Sequence, residues 1–248
     1  MYFTALAFIA VAFLYASVGF GGGSSYTAIL IESGLYWELV PPLSLVCNLV
    51  VVSGGVYHFA RAGHLQLRFA APLLATSVPA AFLAGYIRLD ESVYLQILGI
   101  ALFVSGILML LDRQWSRARA SAPQSGSAMR LGIGLILGGL AGITGIGGGI
   151  YLAPVLHLLR LAEAKTVAAT CSLFILVNSL AGLAGQLAKL GHSAAELFNV
   201  SFVALPLAVL IGGQLGSRVG ARRLNASMIR RLTGLVILVV SIRLLWLS

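Results

Sequence analysis

A chain of 248 residues with 59% hydrophobic and only 9% charged residues is far short of the roughly 25% charged residues of a water-soluble domain. Its formal net charge of +9 comes from bases scattered at the ends of apolar runs without interleaved aromatic residues, which reads as membrane topology signalling and argues against a nucleic-acid surface. The apolar runs are about 18 to 30 residues long, where a barrel would alternate over about ten, so the expected fold class is an all-α polytopic membrane protein.

The first apolar stretch is Tyr2–Ile31. Its opening, Met1–Ser17, lacks the basic leader of a signal peptide and runs on into more apolar chain, so it is kept as structure. Leu39–Ala60, Phe69–Ile87 and Val93–Leu111 follow. Asp112–Arg130, "DRQWSRARASAPQSGSAMR", is rich in Ser, Pro, Gly and Arg and reads as a linker between residues 1–111 and 131–248. Beyond it come Leu131–Leu161, Val167–Leu190, Val200–Leu215 and Ile229–Leu247. Cys47 and Cys171 lie inside apolar runs and read as packed small residues rather than a disulfide or metal pair; no metal or cofactor is expected.

The two sides of the linker resemble each other. "ASVGFGGGSS" (Ala16–Ser25) aligns with "GITGIGGGIY" (Gly142–Tyr151) on the triple glycines. "CNLVVVSGG" from Cys47 aligns with "VNSLAGLAG" from Val177, pairing Asn48 with Asn178, and "PAAFLAG" from Pro79 aligns with "PLAVLIG" from Pro206. Three landmarks in one order at nearly constant offset argue for a duplication.

The basic residues distinguish two threadings. If each Gly-rich stretch crosses the membrane once, the sixteen bases divide eight against eight. If each enters, breaks at the glycines and returns to its own side, the two halves are inverted. Thirteen bases then share one face, and only Arg88, Lys189 and Arg243 lie opposite. The second split obeys the positive-inside rule. It predicts two inverted repeats, each a Gly-broken re-entrant helix pair plus about three spanning helices. It also places the linker in the cytoplasm and both termini in the periplasm.

Such a break is an anion site in the making. Amides at the start of the second arm lack intrahelical acceptors and carry the positive end of the helix dipole, and glycine lets a ligand approach the backbone. Gly21, Gly22 and Gly23 would form one such site and Gly147, Gly148 and Gly149 the other. Ser24, Ser25 and Tyr151 would add hydroxyls, and Asn48, Asn178 and Gln186 amides; Thr170 and Ser172 lie a turn or two before Asn178. A lone Asn in a membrane helix is also an interhelical tie, and His58 and His157 read as packed or interfacial residues or as proton carriers. Gly134, Gly138 and Gly142, like Gly212, Gly216 and Gly220, recur every fourth residue, a pattern of close helix packing that also permits a homodimer. The glycines are not a phosphate loop, which ends in Gly-Lys-Ser/Thr, nor a dinucleotide fingerprint, which needs a soluble strand–turn–helix.

On these residues, "GFGGGSS", "GITGIGGGIYLAP" and the following "AKTVAATCSLFILVNSLAG" (Ala164–Gly182), the chain resembles the TauE/SafE sulfite exporter family over nearly its whole length. The resemblance implies a bacterial inner-membrane carrier exporting small sulfur anions, such as sulfite, or organosulfonates such as sulfoacetate. The first repeat departs from the second, with Ser24 and Ser25 in place of Ile150 and Tyr151 and no counterpart of Pro154.

All seven acids, Glu32, Glu38, Asp90, Glu91, Asp112, Glu163 and Glu196, lie near ends of apolar runs. With the cytoplasm negative, an exported negative charge gains about 2.3 kcal/mol per 100 mV, so export needs no coupling carboxylate. Potential-driven export is therefore expected, with an anion channel or a proton-coupled carrier as alternatives. An intramembrane enzyme would want paired mid-span acids, a Ser–His pair or a metal-ligand helix, and the sequence places none of these together.

Overall fold

The computed structural model describes residues 2–111, 126–159, 161–190 and 200–222, with isolated positions between 235 and 246. Among them the chain is helical without strands: α1 (Tyr2–Ala16), α2 (Gly23–Glu32), α3 (Val40–Arg61), α4 (Leu67–Tyr86), α5 (Glu91–Leu111), α6 (Ser127–Thr144), α7 (Gly149–Leu158), α8 (Ala164–Leu190) and α9 (Val200–Arg222), with a 3₁₀ turn Trp37–Leu39 leading into α3. Most of the expected stretch Ile229–Leu247, and residues 112–125 of the expected linker, lie outside the described residues. At its far end the expected linker Asp112–Arg130 overlaps α6. Ser127–Arg130 already form the first turn of α6, because they are tolerable helix formers and the Arg130 guanidinium donates to Phe69 O at 3.3 Å.

Among the described residues five helices are long and apolar enough to cross a membrane: Trp37–Arg61, Leu67–Tyr86, Glu91–Leu108, Ser127–Thr144 and Ala164–Leu190. Exposed Leu83, Ile100, Ile136, Leu180 and Ile211 give the bundle an apolar exterior, as a lipid-facing protein requires. Ten residues each, α2 and α7 rise only about 15 Å against the ~30 Å of a hydrocarbon core. Tandem Pro41 and Pro42 open α3, where their missing amides would have had no intrahelical acceptor.

Glycine faces set the packing. On α6, a Cβ at Gly134, Gly138 or Gly142 would collide with Leu73, Ser77 or Ala81 of α4 in turn. On α9, a Cβ at Gly212, Gly216 or Gly220 would meet Ile9 and Phe13 of α1 and then Ser17. Both small-residue stripes are thus filled inside the chain and are not the surfaces on which a second copy would dock. The same contacts give direction. Rising numbers on both partners make α6 run parallel to α4, and α9 parallel to α1. Gly182 beside Ala81 and the Arg88 guanidinium donating to Lys189 O at 3.1 Å make α8 parallel to α4. Gly55 beside Ser172, and Phe59 packed with Ala169, make α3 antiparallel to α8. Arg130, at the start of α6, and Phe59 and Leu65, beside the start of α8, are therefore at one end of the bundle, and Arg88 and Lys189 are at the other.

This packing makes neighbouring glycines differ sharply. Gly138→Ala should lose about 1–3 kcal/mol, because its Cβ would stand 2.6 Å from Ser77 Cβ and closer still to the α4 backbone. Gly139→Ala faces open space and should be neutral or gain up to about 1 kcal/mol from helix propensity. Thermal unfolding of the two variants in detergent checks the contrast.

Candidate functional site

Both glycine segments interrupt the helix where the sequence suggests. Between α1 and α2 the backbone turns through Ser17–Gly22, and between α6 and α7 through Gly145–Gly148. The residue before each second arm is left-handed, Gly22 at φ 92° and Gly148 at φ 80°, a conformation that costs an L side chain about 1–2 kcal/mol. Each arm starts without a side-chain cap. The carbonyls of Gly22 and Gly148 accept the first bonds, from Ser25 and Tyr26 and from Tyr151 and Leu152. Among the described residues no protein acceptor meets the N–H groups of Gly23 and Ser24, nor those of Gly149 and Ile150, the orphan donors of a helix start.

The two breaks meet. A Cβ on Gly23 would stand 3.0 Å from Ile146 Cα, so segments more than a hundred residues apart in sequence touch backbone to backbone. Asn48 of α3 lies against both. Its Nδ2 donates to Ile146 O at 2.9 Å, and its amide abuts Gly21, Gly23 and Gly147. Each break also docks on a long helix from the other half. Gly19 packs on Ala168 of α8, where Ser172 Oγ donates to Gly19 O at 2.9 Å, and Gly145 packs on Pro41 of α3.

Of the expected site residues, Gly21, Gly22, Gly23, Gly147 and Asn48 come together at this crossing. Gly148 and Gly149 sit beside it, pressed against Phe174 and Ile175. The hydroxyls of Ser24 and Ser25 face Tyr15 Oη at 3.2 and 3.0 Å, so they are tied to α1. Tyr151 Oη donates to Thr144 Oγ1 at 3.4 Å, a cross-link over the second break. Asn178, the sequence counterpart of Asn48, does not copy its contact: its Nδ2 donates to Phe174 O of its own helix at 2.8 Å. Gln186 lies about 12 Å further along α8 and donates to Gly142 O at 3.0 Å. Thr170 is buried, and its hydroxyl has no partner among the described residues.

Sequence reasoning missed Tyr15, Ser44, whose Oγ donates to Gly23 O at 3.1 Å, and Ser179, whose unpartnered hydroxyl lies beside Gly147. Ser179 directly follows Asn178, the one signal that would have found it. Every group at the crossing is buried, so the structure is closed over it. Among the described residues no cluster of three His, Cys, Asp or Glu side chains could hold a metal ion.

Among the described residues, an all-helical fold with an apolar exterior marks a multi-pass membrane protein, and broken helices with buried unpaired amides are a pattern of transporters. The family model for the sulfite exporter TauE/SafE matches residues 4–244, and the chain belongs to that family. It is 33% identical to a probable membrane transporter protein of Sinorhizobium fredii over 98% of this chain and 97% of that one. A probable membrane transporter protein of Xylella fastidiosa is 27% identical over 92% and 89%. One from Methanocaldococcus jannaschii is 22% identical over 81% and 77%. No solved structure matches the chain.

Proposed function

We propose that the protein exports a small sulfur-containing anion, sulfite or an organosulfonate such as sulfoacetate, across a bacterial inner membrane, driven by the membrane potential. The anion is held by backbone amides where the two broken helices meet. The observation that carries this reading is the contact of Gly23 with Ile146, which sets the unspent amides of the α2 start against the second break, at a buried place with no buried Arg or Lys among the described residues. The ends of the half-helices α2 and α7 supply positive potential there, and the excluded water strengthens it.

In this reading residues 1–111 and 131–248 are two inverted copies joined by a cytoplasmic linker, with both termini periplasmic. Helix directions support it: α3 and α8, counterparts in the aligned halves, run antiparallel. The packing of α1 on α9 is the counterpart of that of α6 on α4. The second broken pair leaves and rejoins one end of the bundle, at Arg130 and at the start of α8. Transport then follows from one half rocking against the other around the crossing.

In proteoliposomes with an imposed potential and no pH gradient, sulfite or sulfoacetate should leave the negative compartment uphill. A monoanion should approach about a fifty-fold ratio per 100 mV, from roughly 2.3 kcal/mol per charge. Electroneutral flux that demands a pH gradient would replace this mechanism with proton coupling, and unsaturable ohmic current would make the protein a channel.

A further inference from the structure

The three buried amides share one polarity. Asn48, Asn178 and Gln186 each spend an N–H on a backbone carbonyl, of Ile146, Phe174 and Gly142 in turn, and each leaves its amide oxygen without a donor. The carbonyl dictates which end of each amide is nitrogen, so the direction of the oxygen follows from the hydrogen bond. Asn48 carries the consequence, because its Oδ1 lies in the break itself. A Cβ on Gly21 would run into that oxygen, and one on Gly23 would stand 3.1 Å from it. Asn48 is fully buried. Orphan donors and an orphan acceptor therefore share one buried place, with Gly23 and Ser24 supplying the amides.

A fully deprotonated oxyanion satisfies the amides but sets lone pair against lone pair at Asn48 Oδ1. A cation satisfies the oxygen but meets the positive ends of the half-helices. A ligand that satisfies both carries a negative charge and one O–H.

We propose that the transported species is a hydrogen-bearing oxyanion whose O–H donates to Asn48 Oδ1 while its other oxygens accept from the helix-start amides. This rests on the anion-carrier reading and narrows it. Monoprotonated sulfite fits, whereas sulfate and sulfonates, which have no O–H on sulfur at neutral pH, leave Oδ1 unpaired. The proton belongs to the ligand. Buried titratable groups of the elements around Asn48 include Tyr15, Tyr26, Cys47, Tyr151 and Cys171, phenols and thiols that are uncharged in neutral water, while the charged residues Glu32, Arg61, Arg130, Lys165 and Lys189 lie at the ends of their helices. The nearest bases along α3 and α7, His58 and His157, are ten residues beyond Asn48 and eight beyond Gly149.

The test is thermal stabilisation of the purified full chain by sulfite, sulfate and sulfoacetate between pH 5.5 and 8.5, on the wild type and on Asn48→Ala. The wild type should prefer sulfite at low pH by at least about tenfold, the cost of a buried acceptor left unmade. Its apparent affinity for total sulfite should fall about tenfold per pH unit once the anion loses its proton. Asn48→Ala, by removing the acceptor, should bring the three anions within about threefold of one another. Should that variant fail to fold, the wild-type pH series decides alone. Equal stabilisation by sulfate or sulfoacetate, or affinity for total sulfite that holds or rises with pH, overturns the hydrogen-bearing ligand and leaves the anion carrier standing. Stabilisation by none of the three at any pH overturns both.

Discussion

Gly148→Ala is expected to abolish anion efflux and to lower stability by about 2–5 kcal/mol. Two costs add. The residue before α7 is left-handed at φ 80°, and an alanine there costs about 1–2 kcal/mol. Its methyl would also stand 2.8 Å from Phe174 Cε1 and 2.9 Å from Ala141 Cβ, between α8 and α6, so overpacking adds about 1–3 kcal/mol. Relaxing either strain moves the start of α7 and with it the unspent amides of Gly149 and Ile150. Thermal unfolding together with efflux from proteoliposomes checks both halves. The control is Gly139→Ala on the same stretch of chain, where nothing lies within 4 Å of the new methyl; it should transport like the wild type and unfold no earlier.

Asn48→Leu should reduce transport at least tenfold while destabilising the protein by only about 1–3 kcal/mol. The leucine fills a similar volume, but it leaves Ile146 O buried without its donor and removes a polar side chain that contacts both breaks. Asn178→Leu should do much less to stability, below about 0.5 kcal/mol, because Phe174 O sits in the interior of α8 and keeps its helix hydrogen bond. Efflux and unfolding of the two variants side by side test this. Equal losses would mean that the two asparagines act as equals, as their alignment suggests and their hydrogen bonds deny.

That contrast marks where the sequence is legible and where it is not. Both helix breaks could be read because consecutive glycines cannot form a one-faced packing stripe, and the every-fourth glycines could be assigned to packing because they do. The partner of Asn48 could not be read, since it is a backbone carbonyl in the other half of the chain and no side-chain pattern advertises a carbonyl. Nor could the difference between Asn48 and Asn178. Identical residues in aligned positions chose a distant carbonyl in one case and the carbonyl one helical turn back in the other. Tyr15 was hidden for a similar reason: an aromatic residue nine positions before Ser24 reaches it only because the chain doubles back at the break. The far boundary of α9 also outran its apolar stretch, continuing from Leu215 to Arg222, because Gly216 and Gly220 keep close contact with α1 and the residue after it although the run has turned polar.

The most direct test of the account concerns which face each broken pair returns to. Ser33, Ala62 and Glu163 are exposed residues that follow α2, follow α3 and precede α8, while Cys47 and Cys171 are buried. Single-cysteine variants at these three positions, labelled with a membrane-impermeant maleimide in right-side-out and inverted vesicles, report their sides. The account predicts that Ala62→Cys and Glu163→Cys react from the cytoplasmic face and Ser33→Cys from the periplasmic face. Glu163→Cys reacting together with Ser33→Cys, on the face opposite Ala62→Cys, would mean that the second glycine segment passes straight through the bilayer, and the account would be wrong.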